Sequence, residues 1–529
     1  MNNIVENFII GLSKHPRLNS DVFFAEQRKF AKSNNRGFFN KDELNKAYQK
    51  LLDKKTLKPN PTLLSLIRMK NTRSHSGIAV VSVLTKPYPC SGRCVYCPTQ
   101  KDVPKSYLSN EPAVMRAISC KYHPYRQTES RLSALEATGH IIDKISIRII
   151  GGTWSEYPKR YQSWFISQVF RACNEYYSKE KLSLSLPHNQ KVNESANVRI
   201  VELSIETRQD RINYQEVIRL RNLGVTKVEL GVQSVDDNIL QMNSRGSSNA
   251  DTVRATKLLK DYGFKVSYQM MLNLLGANPA SDINVFKTIF SQQDYRPDHL
   301  KIYPLALVKN SKLYKHYVNG NFQPYDRNTL IKTISTIKSI VPEYCRIERV
   351  IRDIPAEVIV KGGAKSSNLR QEVQQKMKRL AISCRCIRCR EIKDQTPLGI
   401  DRLYINEYLA SDSQEYFISI ESGTNTKQLR GFLRLRKVNE NTNMLVGACY
   451  MVRELHVYGP TVAIGETDAL ASQHKGIGKR LVTVAEQIAL EDGAKKICVI
   501  AGIGVRKYFK KLGYKLVNTY MTKDLKPDT

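Results

Sequence analysis

Residues 77–98 read GIAVVSVLTKPYPCSGRCVYCP. The opening run, 77–84, is almost wholly apolar and rich in β-branched residues, which predicts a strand buried on both faces, as parallel strands are. Three cysteines follow at once: Cys90, Cys94 and Cys97, in Cys-x3-Cys-x2-Cys spacing. Similar short apolar runs recur at 145–150, 198–204, 227–231, 265–271 and 299–303, with helical patterns between them at 130–138, 214–223 and 251–262. That alternation predicts βα units and a parallel sheet or partial barrel, with the cysteine loop just beyond its first strand. The polar stretch 177–197 reads as an insertion loop, and the chain carries no internal repeat.

Three thiolates on one loop suit a [4Fe–4S] cluster. They hold three irons and leave the fourth open to a chelating small molecule. A structural zinc is the alternative, with Cys120 or His123 as its nearest further ligand. A second triad, Cys384, Cys386 and Cys389, lies in SCRCIRCRE (383–391) and suits a structural Zn²⁺ with one distant ligand. A second iron–sulfur cluster and free thiols are the competing readings there. Arg385, Arg388 and Arg390 cannot ligate a metal and are expected to face nucleic-acid phosphate. The other cysteines, Cys120, Cys173, Cys345, Cys449 and Cys498, read as apolar fillers or isolated thiols.

The charge balance is 83 Lys+Arg against 49 Asp+Glu, or +34. Such an excess predicts a polyanionic partner, nucleic acid first and an anionic membrane surface second. The first 75 residues look helical and hold 15 Lys+Arg against 6 Asp+Glu. No apolar run approaches the ~20 residues a bilayer span needs, and the N-terminal MNNIVENFIIGLSKHP is too brief for a secretory signal. The expectation is a cytoplasmic protein without membrane contact, whose cysteines build no disulfide framework.

Beyond residue 398 a second α/β pattern begins, with strand-like runs at 416–420, 432–435 and 445–455. It ends in QHKGIGKRL (473–481), which leads into a helix. Clustered backbone N–H groups at a helix N-terminus suit a pyrophosphate. Gly476 and Gly478 keep side chains out of the way, and Lys475, Lys479 and Arg480 add charge. An ordinary glycine turn before a helix is the alternative.

These motifs carry a resemblance. The Cys-x3-Cys-x2-Cys loop, together with Gly151-Gly152-Thr153-Trp154 after a later strand, looks like a radical S-adenosylmethionine (SAM) enzyme. QHKGIGKRL is similar to the acetyl-CoA signature of GNAT acetyltransferases, supported by GIGVRKYFKKLGYKL (502–516) with Tyr508 and Phe509. Longer stretches, among them PKSYLSNEPAVMRAI (104–118), VELGVQS (228–234), LKIYP (300–304) and CRCIRCRE (384–391), resemble the catalytic-subunit family of Elongator and its stand-alone archaeal and bacterial members. The resemblance covers roughly residues 70–525.

It implies an α/β protein: a basic helical region (1–75) that binds tRNA, a radical SAM partial (β/α) barrel (76–360), a Cys-rich zinc junction (361–397) and a GNAT acetyltransferase domain (398–529). The implied activity is conversion of the tRNA wobble uridine, U34, to its 5-carboxymethyl form. A 5′-deoxyadenosyl radical would take hydrogen from the acetyl methyl of acetyl-CoA, and the resulting carbon radical would add to C5 of the uridine. The implied partners are the tRNA anticodon loop, acetyl-CoA and an electron-donor protein, with no other Elongator subunit required. Cys90, Cys94 and Cys97 would hold the cluster. Gly151, Gly152, Thr153, Glu206 and Gln233 would contact SAM, and Lys301 and Tyr303 would be catalytic. Acetyl-CoA would meet Gln473, His474, Lys475, Gly476, Ile477, Gly478, Lys479, Arg480, Tyr508 and Phe509, with Tyr508 also the candidate catalytic group of that half. The fourth zinc ligand would be His140 or His123. The sequence departs from the family at Ser247, Gln269, Leu272 and Leu275. Two rival functions are a protein lysine acetyltransferase on an inert radical SAM scaffold and an RNA-binding module without chemistry.

Overall fold

The computed structural model describes residues 2–34, 37–67, 77–178, 180–365, 368–393, 397–423, 427–438, 449–459 and 476–526. Within these, four helices come first: Asn2–Ser13, Ser20–Ser33, Lys41–Asp53 and Pro61–Ile67. Their apolar stripes, including Phe8, Phe23, Leu44, Tyr48 and Leu63, close into a small core of their own.

Strands β1 (Ala79–Leu84), β2 (Lys144–Ile150), β3 (Arg199–Thr207), β4 (Lys227–Gln233), β5 (Lys265–Leu272), β6 (His299–Pro304) and β7 (Arg346–Arg349) form one sheet. Each pairs in parallel with its neighbour in sequence, β1 and β7 being the edges. Helices return the chain between strands, so the winding is uniform and the C-terminal strand ends converge on one side. This is the partial barrel that the spacing of apolar runs predicts. The stretch 177–197 differs from expectation in holding a helix, Leu186–Asn193. Asn189 and Asn193 are buried there and bond with Asn174 (Asn174 to the Asn189 carbonyl, 2.9 Å; Asn193 to Asn174, 2.7 Å), which ties a polar segment to the preceding helix.

A second sheet carries β8 (Asp401–Ala410), β9 (Ser413–Ser422), β10 (Gln428–Lys437), β11 (Tyr450–Val457), β12 (Lys496–Val499), β13 (Lys515–Val517) and β14 (Tyr520–Asp524). Its order is β13-β14-β12-β11-β10-β9-β8, and only the β11–β12 pair is parallel. One face packs Leu433, Leu435, Tyr450 and Val452 against helix Ile477–Glu491. The opposite face turns Phe417, Phe432 and Met451 toward the first sheet, whose core they join.

That contact is strongly ionic. Arg434, Arg436 and Arg453 are fully buried and reach the N-terminal ends of the barrel strands. Arg453 pairs with Asp298 at 2.5 Å and Glu415 at 2.9 Å and donates to the Phe264 carbonyl. Arg436 pairs with Asp261 and Glu415, and Arg434 donates to Glu454 and to the Tyr344 carbonyl. The second sheet therefore stoppers the barrel at the end opposite its converging C-termini. Among the described residues no helix is long and apolar enough to cross a membrane.

Candidate active site and metal centre

A cavity of about 660 Å³ opens at the C-terminal strand ends. Cys90, Cys94 and Cys97 line it from the loop after β1, and Gly152, Thr153, Glu206, Gln233, Lys301 and Tyr303 line it from later strand ends. Sequence positions as far apart as 90 and 303 thus meet in one chamber. Each cysteine sulfur has polar company. The Gly92 N–H donates to Cys90 Sγ (3.4 Å), Thr153 Oγ1 lies 3.8 Å from Cys90 Sγ, and Arg245 Nη1 donates to Cys94 Sγ (3.6 Å). Burial, with the Cys94 charge adding to it, pushes the Cys97 thiol up to about 11.

The three sulfurs fit a cluster rather than one ion. Among the described residues only Cys384, Cys386 and Cys389 bring candidate ligand atoms all within 4.8 Å of one another. The first triad is more widely spread, and neither Cys120 nor His123 closes it into a single-ion site. His123 instead packs its ring edge-on against Trp164.

The Gly151–Gly152 turn needs glycine. Both have positive φ, +124° and +114°, and a Cβ on Gly151 would stand 2.2 Å from Thr85 Oγ1 and 3.0 Å from its backbone nitrogen. Thr85 donates to the Gly151 carbonyl (3.2 Å) and bonds the Tyr157 hydroxyl (2.8 Å), which fixes the turn beneath the cysteine loop. Gly151→Ala is expected to cost about 1–3 kcal/mol in urea unfolding. Wild-type stability in that variant would show that the turn is not constrained.

Lys301 is 3% exposed and pairs with Glu229, with Glu206 Oε1 3.5 Å away. Burial alone would lower its pKa, but Glu229 outweighs that and holds the ammonium charged. Glu206 is itself held from two sides, by the Tyr107 hydroxyl (2.9 Å) and the Gln269 amide (3.1 Å). Gln233 closes β4 with φ +69°, a left-handed conformation at a cavity wall. The departures from the family are accommodated. Gln269 bonds Glu206, Ser247 accepts from Gln209 (3.0 Å), and Leu272 and Leu275 are buried in apolar clusters. Arg245, Glu229, Tyr107 and Arg352 are cavity residues that sequence reading missed. Their contacts span up to 246 positions, so no local pattern announces them.

The second triad sits around the short helix Ile387–Arg390, whose Ile387 N–H donates to the Cys345 carbonyl just before β7. Its close-set sulfurs suit one tetrahedral ion, which at a Zn–S distance of about 2.3 Å spaces them roughly 3.8 Å apart. Hydrogen bonding among the three holds the Cys384 thiol up and brings Cys386 down. His140 and His123 do not join this group. They flank helix Pro124–Glu136, which bonds β1 through Gln127, whereas the triad lies at β7, the opposite edge. Lys338 Nζ approaches instead, 3.9 Å from Cys389 Sγ. Of the three arginines expected to face phosphate, Arg390 does not. It is drawn inward by Glu421 (2.5 Å) and the Glu343 carbonyl (2.8 Å).

At the other motif, Gln473, His474 and Lys475 lie outside the described residues. Gly476 precedes helix Ile477–Glu491 with φ +74°, and Lys479 and Arg480 are exposed on its first turn. A Cβ on Gly478 would stand 2.8 Å from the Tyr508 hydroxyl, so that hydroxyl lies against the start of the helix. Burial pushes the Tyr508 pKa up. Phe509 corrects expectation. It is 4% exposed and turned into the core against Tyr514, because its neighbour Tyr508 takes the opposite face of the short helix Arg506–Lys511. Ile477 likewise faces the core.

A parallel half-barrel with a triad of cysteines after its first strand defines a radical SAM protein, here joined to a second, mixed α/β domain. The Radical SAM superfamily model matches residues 88–288, and that of the Radical_SAM C-terminal domain matches 297–379. A "tRNA uridine(34) acetyltransferase" of Methanocaldococcus infernus is 42% identical over 480 residues, 88% of each chain. One of Dehalococcoides mccartyi is 40% identical, covering 86% of this chain and 99% of its own. "Elongator complex protein 3" of Homo sapiens is 35% identical, covering 88% and 87%. The solved archaeal Methanocaldococcus infernus Elp3 with an N-terminal deletion superposes with TM-score 0.74 at 39% identity, covering 85% of this chain and all of that one. The chain belongs to this family of tRNA uridine(34) acetyltransferases and Elongator complex protein 3.

Proposed function

We propose that this protein modifies the wobble uridine of tRNA, adding a carboxymethyl group to C5 with SAM and acetyl-CoA as co-substrates. The carrying observation is the single chamber in which Cys90, Cys94 and Cys97 face Lys301, Glu206 and Tyr303. A [4Fe–4S] cluster on the three cysteines would, with SAM on its open iron, supply a carbon-centred radical.

The chain's own groups supply position and charge. The Gly151–Gly152 turn offers carbonyls to an ammonium, and Gln233 and Glu206 offer polar contacts on the facing wall. Arg245 donates toward a cysteine sulfur that carries charge. Lys301, charged and braced by Glu229, suits a uracil carbonyl, and the Tyr303 hydroxyl is available to hold or pass a proton. In the second domain the backbone N–H groups at Gly476–Arg480, with Lys479 and Arg480, suit the pyrophosphate of acetyl-CoA, and Tyr508 would stand at its thioester end. Zn²⁺ on Cys384, Cys386 and Cys389 would brace the junction. The basic helices of residues 1–75 would add phosphate contacts, strengthening affinity without selecting sequence. The work is cytoplasmic, needs an electron-donor protein, and proceeds without further Elongator subunits.

Anaerobic reconstitution with tRNA, SAM, acetyl-CoA and a reductant tests this reading. Nucleoside mass spectrometry is expected to find carboxymethyluridine, and metal analysis about four irons and one zinc per chain. Absence of the modified nucleoside with iron and zinc both loaded would defeat the reading.

A further inference from the structure

A row of aromatic rings runs along the rim of the chamber, and the proposed chemistry uses none of them. Tyr88 packs on Tyr157 with centroids 4.8 Å apart, Tyr157 stacks on Tyr161 (5.1 Å), and Tyr161 meets Trp164 (5.6 Å). His123 closes the row edge-on against Trp164 (5.4 Å). The row is fixed to the segment that leads from β1 into the cysteine loop. The Tyr157 hydroxyl donates to the Lys86 carbonyl (2.7 Å), and the Tyr161 hydroxyl accepts from the Lys86 N–H (3.1 Å). Gln127, in the first turn of the helix that His123 precedes, bonds both backbone groups of Leu84 at the end of β1 (2.9 Å each). Helix Lys159–Glu175, which carries Tyr161 and Trp164, begins beyond the C-terminal end of β2. The row thus lies on the side where the chamber opens, with Tyr88 two residues from Cys90.

The middle of the row is buried and its ends are open. Tyr157 is 5% exposed, Tyr88 36% and Trp164 37%. The chain's other tryptophan, Trp154, is buried. Packing helix Lys159–Glu175 on the sheet accounts for Trp154 and Tyr157, but it does not call for a tryptophan with more than a third of its surface in water. The charges around the rings are cationic. Lys86 Nζ lies over the Tyr161 ring (5.1 Å), and Lys159 and Arg160 are exposed on the turn that leads to it. Burial, then the charges of Arg126 and Arg171, lowers the His123 pKa, which places exposed Arg126 near that ring. The carboxylate that acts on Tyr157, Glu156, is turned to Arg211 (3.1 Å). Open ring faces set among cations suit single-stranded nucleic acid, whose bases stack and whose phosphates pair.

We propose that this row is a stacking platform for the unpaired nucleotides beside the one that enters the chamber, with bases on Tyr88 and Trp164 and phosphates met by Lys86, Arg126 and Arg160. The rings are held in place before RNA arrives, so little ordering is lost on binding. An acidic protein would meet the same cations but would have no use for the open ring faces. The platform rests on the RNA substrate of the proposed function, though not on its chemistry.

The test is equilibrium binding of an anticodon stem-loop RNA to the full-length, metal-loaded protein over a salt series, without co-substrates, read by RNA anisotropy and by tryptophan emission. The stem-loop is expected to quench Trp164. A fully paired duplex of equal length, whose bases are already stacked, should leave the emission unchanged. Trp164→Ala should weaken stem-loop binding about tenfold with the slope of log K against log salt unchanged, and Trp164→Phe should keep most of the affinity. Tyr88→Ala should weaken binding in the same direction. Lys86→Ala should instead lower the slope by about 1. Unchanged stem-loop affinity in both Trp164→Ala and Tyr88→Ala, or equal quenching by duplex and stem-loop, would overturn the platform. So would slower cluster reduction by a flavodoxin in those two variants with RNA affinity intact, which would assign the surface to an electron donor. A protein that shows the quench and the tenfold loss yet makes no modified uridine would sink the proposed reaction and leave the platform standing.

Discussion

Cys94→Ala is expected to leave a folded protein that makes no modified uridine and holds almost no iron or sulfide after anaerobic reconstitution. The reason is stoichiometric. Three loop thiolates hold three irons, and with two the assembly lacks an anchor at the middle of the loop. Cys94 is also the most enclosed part of that anchor, 8% exposed and accepting from buried Arg245. Removing one sulfur from a small buried side chain should cost about 1 kcal/mol in stability, so loss of iron will not be loss of fold. Cys120→Ala supplies the contrast. Its thiol lies outside the triad, and iron, sulfide and product should all stay at wild-type levels. Product from Cys94→Ala at the wild-type rate, or zinc in place of iron when the wild type is prepared without oxygen, would remove the radical reading altogether.

The second large effect concerns the joint between the halves. Arg453→Met is expected to destabilise the protein by about 3–5 kcal/mol, seen as a lower urea midpoint, because it leaves Asp298 and Glu415 buried without their shared cation. Arg254→Ala, which breaks an exposed pair with Asp251, should change stability by less than about 1 kcal/mol. The same network sets an acid limit. Burial favours the protonated form of Asp298, but the charges of Arg453, Lys260 and Arg434 outweigh it and hold the carboxyl well below its usual range. Glu415 is lowered likewise, with burial opposed by Arg453, Lys260 and Arg436. A carboxylate depressed in the folded state stabilises above its unfolded pKa of about 4 and loses that contribution as pH falls further. Wild-type stability from this network should therefore be level from about pH 5 to 8 and decline below about pH 4. In Arg453→Met the decline should begin at the same pH, be smaller, and end at a higher pH, because the folded-state carboxyls are no longer held as far down. A variant with the wild-type midpoint and acid profile would show that the pairs contribute nothing to the joint.

Much of this architecture was legible in the chain. The strand runs at 145–150, 227–231, 265–271 and 299–303 fall on β2, β4, β5 and β6, because a strand buried on both faces must be apolar along its length. The cysteine spacings were legible for a similar reason, since ligands within a few residues of one another are brought together by one loop or one turn. The alternation in GFLRLR was harder. Residues 431–436 look like a strand with its leucines buried and its arginines in water. The leucines do face the helix Ile477–Glu491, but Arg434 and Arg436 face Asp298, Asp261 and Glu415 across the joint. Pattern alone cannot separate a solvated face from one covered by a partner domain that carries the matching charge. The fourth zinc ligand failed on the same ground, because choosing between His123 and His140 required knowing that both lie by β1 and the triad by β7.

The order of the sequence by itself determined the two α/β patterns, the two cysteine triads and the glycine turn at Gly151–Gly152. Each depends on neighbours in the chain, and backbone geometry acts over a few residues. Only the tertiary structure decided which distant groups share the chamber and which arginines stopper the barrel. Those contacts join residues up to 246 positions apart, where the outcome is set by strand order and burial. Coulomb energy in a buried site depends on the partner that arrives, and no local stretch of sequence encodes that partner.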